Sequence, residues 1–348
     1  MSLLSVLVGA VLIVLVATDI LITLLHPTAR GPVSYAANRA TWRATKIVSV
    51  RLLRGLGLSY AGPLAVVTNV LAWVILFWLG FALVYLPFID SFAYDPSTPF
   101  KGHGFAEATY MSGAALTTVG YGDMVPTSMA MRLATIFEAA SGFGALSAAI
   151  AFVISIYPLL SQLRGTGIQM ADSGALELEG AARVVREAGS SELAAVTREL
   201  TENHEHLRRF PVLYYFESGN AEESLSASLR GSAMLLVALH CVPVEEVGHA
   251  HVYADVLERI VVRLLDDLEG DFVGGRHTSP DTADDTVGDT AAKLNVACEQ
   301  LAAGSAHDAE RDHDRAELGA LLVRVERVLE ALAEEHGHHA RPLFPEDD

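Results

Sequence analysis

Most of the chemistry that marks an enzyme or a nucleic-acid binder is missing from these 348 residues. No glycine-rich fingerprint follows a strand-like run, so a nucleotide-binding module is not expected. No EF-hand loop occurs, and no strand pattern suits a cyclic-nucleotide roll. No nucleophile stands with a base at a recognisable spacing. His204 and His206 flank Glu205, and His249 and His251 flank Ala250. Two residues along a helix turn side chains about 200° apart, a poor chelate. The chain therefore does not read as an enzyme, and no catalytic residue, resident metal or cofactor is expected. Base is scarce in the second half: residues 165–348 carry 15 basic and 36 acidic residues, a net of −21. That balance argues against nucleic acid as a partner. Residues 1–164 carry 9 basic and 6 acidic residues, a net of +3.

What is abundant is apolar sequence, 51% of the chain, and it is unevenly spread. Leu3 to Leu25 is one run with a single charge, Asp19. As a helix it is about 35 Å long, enough to cross a bilayer. It lacks the basic leader and cleavage site of a signal peptide, so a retained membrane helix is expected. Ala65 to Phe88 is a second run, and Leu133 to Leu160 a third, interrupted only by Glu138. Between them, Phe105 to Thr117 is too short to span and suits a re-entrant helix buried in protein. A buried carboxylate such as Asp19 is costly and usually has a partner or a function. A basic residue of the following loop, or Asn69, is the expected partner.

From His26 to Tyr60 there are six basic residues, Arg30, Arg39, Arg43, Lys46, Arg51 and Arg54, and no acids. Such a loop is held in the cytoplasm. The N-terminus is then outside, and residues after the third run are cytoplasmic. Arg39, Arg43 and Lys46 share a helical face, with Trp42 and Ile47 placed to rest in the lipid boundary. This suggests an interfacial helix on anionic headgroups. Its irregular spacing, and the single helix before it, do not suit a voltage sensor.

Seven residues, Thr117-Thr118-Val119-Gly120-Tyr121-Gly122-Asp123, lie between the short apolar segment and the third run. The carbonyls of Thr118, Val119, Gly120, Tyr121 and Gly122, with the Thr118 hydroxyl, can replace the water shell of a potassium ion. Aiming those carbonyls at one axis requires positive φ, which Gly120 and Gly122 adopt without a Cβ clash. Val119 and Tyr121 are then expected to turn outward and pack the filter against its pore helix. One chain supplies one wall, which implies four chains.

The stretch from about Leu64 to Leu160 resembles the pore domain of prokaryotic potassium channels with two helices and a pore loop per subunit. Asp123 follows the filter, Pro126 comes three residues later, and Arg132 opens the next helix. The resemblance implies a homotetramer in the inner membrane, with potassium as the permeant ion at Thr118, Val119, Gly120 and Tyr121. It places the hinge of the inner helix at Gly142, with Leu146, Ile150 and Val153 lining the cavity and gate. Some related channels pair the aspartate after the filter with a pore-helix carboxylate; here that position is Ala114. Tyr110, a turn earlier, is expected to bond Asp123 instead. Thr117 and Glu138 complete the expected support, Glu138 hydrogen-bonded to Thr117, Ser112 or Ser141.

Helical periodicity dominates the remainder. Leu257, Ile260, Val261, Leu264 and Leu268 fall on one face. Leu318, Leu322, Val325, Leu329 and Leu332 form a 4-3-4-3 seam of a bundle core or short coiled coil. Further helices are expected over 175–187, 190–208, 220–240 and 287–303, a polar linker over 274–286, and a tail from His336. Cys241 and Cys298 are expected to be cytoplasmic and reduced. Two placements suit the apolar run Phe210 to Phe216: the bundle core, or contact with the membrane or pore.

The fold class expected is thus all-α membrane protein: a tetrameric channel pore, an extra N-terminal membrane helix and an all-α cytosolic domain. The divisions are 1–27 membrane helix, 28–60 basic interfacial segment, 61–163 pore domain and 164–348 acidic helical domain. A potassium-selective channel is the function expected. The alternatives are a pore subunit of a potassium transporter, or a ligand-sensing membrane protein centred on the cytosolic domain. The gating stimulus and cytosolic ligand are not encoded in any recognisable motif.

Overall fold

The computed structural model of the chain describes residues 2–26, 31–48, 60–95, 104–187, 190–216, 221–247, 252–270, 280–302, 309–336 and 342–344. Its first elements are helices α1 (Ser2–Leu25), α2 (Pro32–Val48) and α3 (Ala61–Tyr85). A 3-10 turn, Leu86–Ser91, and strand β1 (Phe92–Tyr94) follow, then helix α4 (Phe105–Leu116), strand β2 (Met124–Pro126) and helix α5 (Met129–Asp172). Helices α6 (Leu178–Glu187), α7 (Ser190–Arg209), α8 (Leu225–Cys241), α9 (Val244–Val247), α10 (Val252–Leu268), α11 (Pro280–Ala302) and α12 (Ala309–His336) complete it. Among the described residues, three stretches are long and apolar enough to cross a membrane: Leu3–Leu25, Ala61–Ser91 and Met129–Asp172. The chain divides into two compact units, Met1–Pro158 with Arg209–Phe216, and Leu159–Arg208 with Glu217–Asp348.

In the first unit α3 is the hub, packing against α1, α2 and α4. Trp73, Phe77, Phe81 and Tyr85 repeat along one face at four-residue spacing, and all four are buried. Trp73 meets Phe152 of α5 edge-on at 5.8 Å between ring centroids. The α1–α3 crossing depends on small residues. A side chain at Gly9 would collide with the Gly80 carbonyl, and one at Gly80 with Ile13. Apolar side chains on the other face of α1, from Leu3 to Val14, are exposed, as a lipid-facing surface requires.

Asp19 is completely buried, and among the described residues neither Asn69 nor a basic side chain holds it. One oxygen accepts the Val33 N–H at 2.7 Å. The other accepts the Ser34 hydroxyl at 2.5 Å and the Trp73 indole N–H at 2.8 Å. The Ser34 N–H lies 3.2 and 3.3 Å from the two oxygens. The first N–H groups of a helix have no partner in their own helix. The carboxylate therefore caps α2 from a different helix. Asn69, also buried, has no hydrogen-bond partner for its amide among the described residues. Trp42 is not at the surface either. It is buried with Ala61, and Tyr215 packs on it at 5.4 Å. Ile47 does remain exposed. Arg30, Arg51 and Arg54 lie outside the described residues.

Of the two placements open to the run from Phe210, the structure selects the first unit. A 3-10 turn, Pro211–Tyr215, sets Phe210 against Phe152 at 6.1 Å and Phe216 against Tyr157 at 6.4 Å. Phe216 also covers Gly62 so closely that a side chain there would overlap its ring.

The second unit is built on α8, which is apolar on every side and buried from Ala227 to Cys241 save for Arg230 and His240. Such a helix must be surrounded, and α6, α10, α11 and α12 pack on it. The seam of Leu318, Leu322, Val325, Leu329 and Leu332 is wholly buried. Arg324 ties α12 to α10 through Asp266 at 2.6 Å and Glu269 at 2.9 Å. His204, 5% exposed, bonds Asp267 at 2.7 Å across α7 and α10. His249 and His251 lie outside the described residues. Three expectations are corrected here. The linker expected over 274–286 gives way to α11 at Pro280, a favoured first helical residue. The tail is not free: Leu343 and Phe344 are buried, and Arg230 donates to the Pro342 carbonyl at 2.9 Å. Cys241 and Cys298, expected to be reduced, form a disulfide between α8 and α11 with Cα atoms 4.5 Å apart, a separation that suits the bond.

Candidate functional site

The site begins at the C-terminal end of α4. Thr117 donates its hydroxyl to the Gly113 carbonyl at 2.6 Å. Backbone N–H groups of Thr118 and Gly120 reach the carbonyls of Ala115 and Ala114 at 3.0 and 3.3 Å. These bonds hold Thr118 and Gly120 to the helix that precedes them. Thr118, Gly120 and Gly122 then take positive φ values of 58°, 53° and 80°, while Val119 and Tyr121 do not. Alternation of residues with and without positive φ turns successive peptide units so that their carbonyls can face one side. Thr118, with a branched Cβ, bears a strain that glycine would not. Val119 and Tyr121 are 53% and 73% exposed on the single chain. More than half of each residue's surface therefore faces outward.

Asp123 follows, and Tyr110 donates its hydroxyl to it at 2.7 Å, as expected from the absence of a carboxylate at Ala114. The Asp123 carboxylate that accepts this bond holds the Tyr110 hydroxyl up at about 12, with a smaller contribution from burial. Tyrosine therefore remains the donor at ordinary pH. Beyond Asp123 the chain is pinned by an antiparallel strand pair that the sequence did not suggest, Phe92, Ala93 and Tyr94 facing Pro126, Val125 and Met124. The Thr127 N–H and hydroxyl both donate to the Ser91 carbonyl, at 2.8 and 2.7 Å. Arg132 donates to the Pro126 carbonyl at 3.1 Å. Three-residue strands carry too little alternation to be legible beforehand.

Behind α4 stands Glu138 of α5, fully buried. Its oxygens lie 2.5 Å from the Ser112 hydroxyl and 2.7 Å from the Tyr85 hydroxyl. Of the three expected partners only Ser112 is confirmed. Thr117 and Ser141 instead bond carbonyls of their own helices, Gly113 and Phe137. Tyr85, 53 residues away in sequence, was not anticipated. Trp78 further ties α3 to α4, its indole donating to the Thr109 carbonyl at 2.8 Å.

At Gly142 the inner helix meets the end of the pore helix. Any side chain there would run into the Leu116 carbonyl, so the glycine is required by close approach, whatever bending occurs. A Cβ position so near that oxygen means that an α-hydrogen points at it, a weak C–H···O contact. Helix α5 runs unbroken through Gly142, and its one proline is Pro158, which withholds an N–H from the preceding turn. Leu146 and Ile150 are 59% and 53% exposed, in line with exposed Phe143 and Ile154; Val153 is half-buried. The four exposed positions form one continuous apolar stripe on α5.

This geometry agrees with what the chain is similar to. Residues 72–157 match a family model described as Ion channel; the stretch is the pore domain of an all-α membrane protein. The chain is also 24% identical over 210 residues to the "Uncharacterized membrane protein YdjJ" of Bacillus subtilis (strain 168). That alignment covers 58% of this chain and 59% of the relative, so the chain spans under two thirds of the relative's length. No solved structure matches.

Proposed function

We propose that the chain is one subunit of a homotetrameric, potassium-selective channel that conducts passively across the prokaryotic inner membrane. The observation that carries this is the alternating positive φ at Thr118, Gly120 and Gly122, in a segment tied to the end of a re-entrant helix. Carbonyls of Thr118, Val119, Gly120, Tyr121 and Gly122 from four chains would replace the hydration shell of the ion. The exposed Val119 and Tyr121 would be covered by neighbouring subunits, and the stripe through Leu146 and Ile150 would face the cavity or the next subunit. One complete filter per chain favours a channel over the transporter alternative, whose assemblies carry four degenerate repeats in one chain.

The positive loop sets the orientation: N-terminus outside, α2 at the cytoplasmic face and the second unit in the cytoplasm. Arg39 and Arg43 stand on the exposed side of α2, where anionic headgroups are the suited partner. The ligand-sensing alternative would place the function in the second unit, where the described residues hold no cluster able to bind a metal. The test is reconstitution in bilayers with unequal potassium and sodium. Reversal potentials should follow potassium; equal permeability to both ions refutes the proposal. Cysteines introduced at Ser2, Ala44 and Ser279 test the orientation. Labelling of Ala44→Cys by an impermeant thiol reagent outside intact cells overturns it.

A further inference from the structure

A count of protons at Glu138 identifies its chemical state. The Ser112 hydroxyl lies 2.5 Å from one Glu138 oxygen and 2.8 Å from the Trp78 carbonyl oxygen. The Tyr85 hydroxyl lies 2.7 Å from the other Glu138 oxygen. These are three hydrogen bonds, and the two hydroxyls own one proton each. The Trp78 carbonyl can only accept. All three bonds exist at once only if the carboxyl carries the third proton. The chain then runs in one direction: Tyr85 donates to Glu138, Glu138 to Ser112, and Ser112 to Trp78. Tyr85 is the titratable group that faces Glu138 from α3; from α4 it meets the Ser112 hydroxyl. No water competes at a residue with no exposed surface, and an unpaired negative charge there would be costly.

The position of this network matters as much as its state. Glu138 and Gly142 are one turn apart on α5, and Ser112 and Leu116 are one turn apart on α4. The Glu138–Ser112 bond and the Gly142–Leu116 contact are therefore successive rungs of one seam between the helices. Leu116 is the last residue of α4, and the filter begins two residues later. A shift of α4 along this seam would move the first carbonyls of the filter directly.

We propose that Glu138 is a positioning residue of the filter: held as a neutral carboxylic acid between Tyr85 and Ser112, it locks the pore helix to α5 and keeps the filter in its potassium-selecting geometry. This rests on the channel reading above. The full-length protein in liposomes provides the test, with the potassium-to-sodium permeability ratio as the readout. E138Q supplies a donor for Ser112 and an acceptor for Tyr85 and has no proton to lose, so its ratio should match the wild type. E138L fills a similar volume and makes neither bond, and its ratio should fall about tenfold, the factor that 1.4 kcal/mol commands. S112A, smaller by one oxygen, should lower the ratio in the same direction, and it decides the matter if E138L does not assemble. An unchanged ratio in E138L, or in S112A, overturns the positioning role. A ratio in E138Q as low as in E138L overturns the neutral-acid state. Infrared spectra provide an independent check: the wild type at neutral pH should show a protonated carboxylic-acid band that E138Q lacks, and its absence also overturns that state. A wild-type protein equally permeable to both ions refutes the channel reading instead, and the infrared band still reports on Glu138.

Discussion

Replacing Asp19 by alanine should loosen the first unit more than any other single change at a polar residue of α1. The carboxylate accepts from four donors: the Val33 and Ser34 N–H groups, the Ser34 hydroxyl and the Trp73 indole. Alanine leaves all four facing a site from which water is excluded. In soluble proteins each stranded donor costs about 1–3 kcal/mol. In membrane proteins the unfolded state also finds partners, and bonds average nearer 0.6 kcal/mol. Four donors together then give a loss of roughly 2–12 kcal/mol. Part of it is the helix cap, since the carboxylate sits at the positive end of α2. Asp19→Asn should fall between, because its amide keeps one acceptor and turns a donor toward the remaining N–H groups. Thermal denaturation of the purified protein in detergent, followed by tryptophan fluorescence, measures the effect. Trp73 should also shift its emission once its indole loses the carboxylate. A midpoint for Asp19→Ala within about 1 °C of wild type would refute the reasoning, since even the lower bound should move it by several degrees.

Gly142→Ala should destabilise the assembled protein by about 1–3 kcal/mol and impair conduction, because its methyl group meets the Leu116 carbonyl and one helix must shift; unchanged melting and conductance would count against the close-approach account. Gly120→Ala meets no atom within 4 Å, so its cost is the positive φ alone, about 1–2 kcal/mol. It should abolish selective flux while membrane insertion, read by cell fractionation, is preserved. Tyr110→Phe removes the bond to Asp123 and should shorten the time for which the filter stays conducting in single-channel records. The folded hydroxyl titrates at about 12, above the ordinary tyrosine value. The contribution of Tyr110 is therefore complete below about pH 10 and lost as pH rises through 12. A wild-type channel that loses this behaviour already near pH 8 would contradict that assignment.

The sequence alone determined the three spanning runs, because twenty consecutive apolar residues have few other uses. It determined the positive φ at Gly120 and Gly122 too, because a pattern of glycines states a backbone conformation directly. The Tyr110–Asp123 bond was expected through the resemblance to potassium-channel pores, since Tyr110 lies one helical turn before the position, Ala114, where some of them carry a carboxylate. The seam from Leu318 to Leu332 was likewise written in its spacing. Tertiary structure decided the rest. Periodicity marks a face as buried but does not say which element covers it. Asp19 meets groups 14, 15 and 54 residues away, and Glu138 meets groups 26 and 53 residues away; no local pattern selects such partners. The role of Gly142 in close packing depends on where the pore helix ends. The Cys241–Cys298 pair and the docking of Phe210 to Phe216 depend on which helices lie side by side. Local backbone preference and apolar length are properties of a segment, and the sequence carries them openly. Contacts between segments are set by the packing of the whole chain, and only the folded structure reveals them.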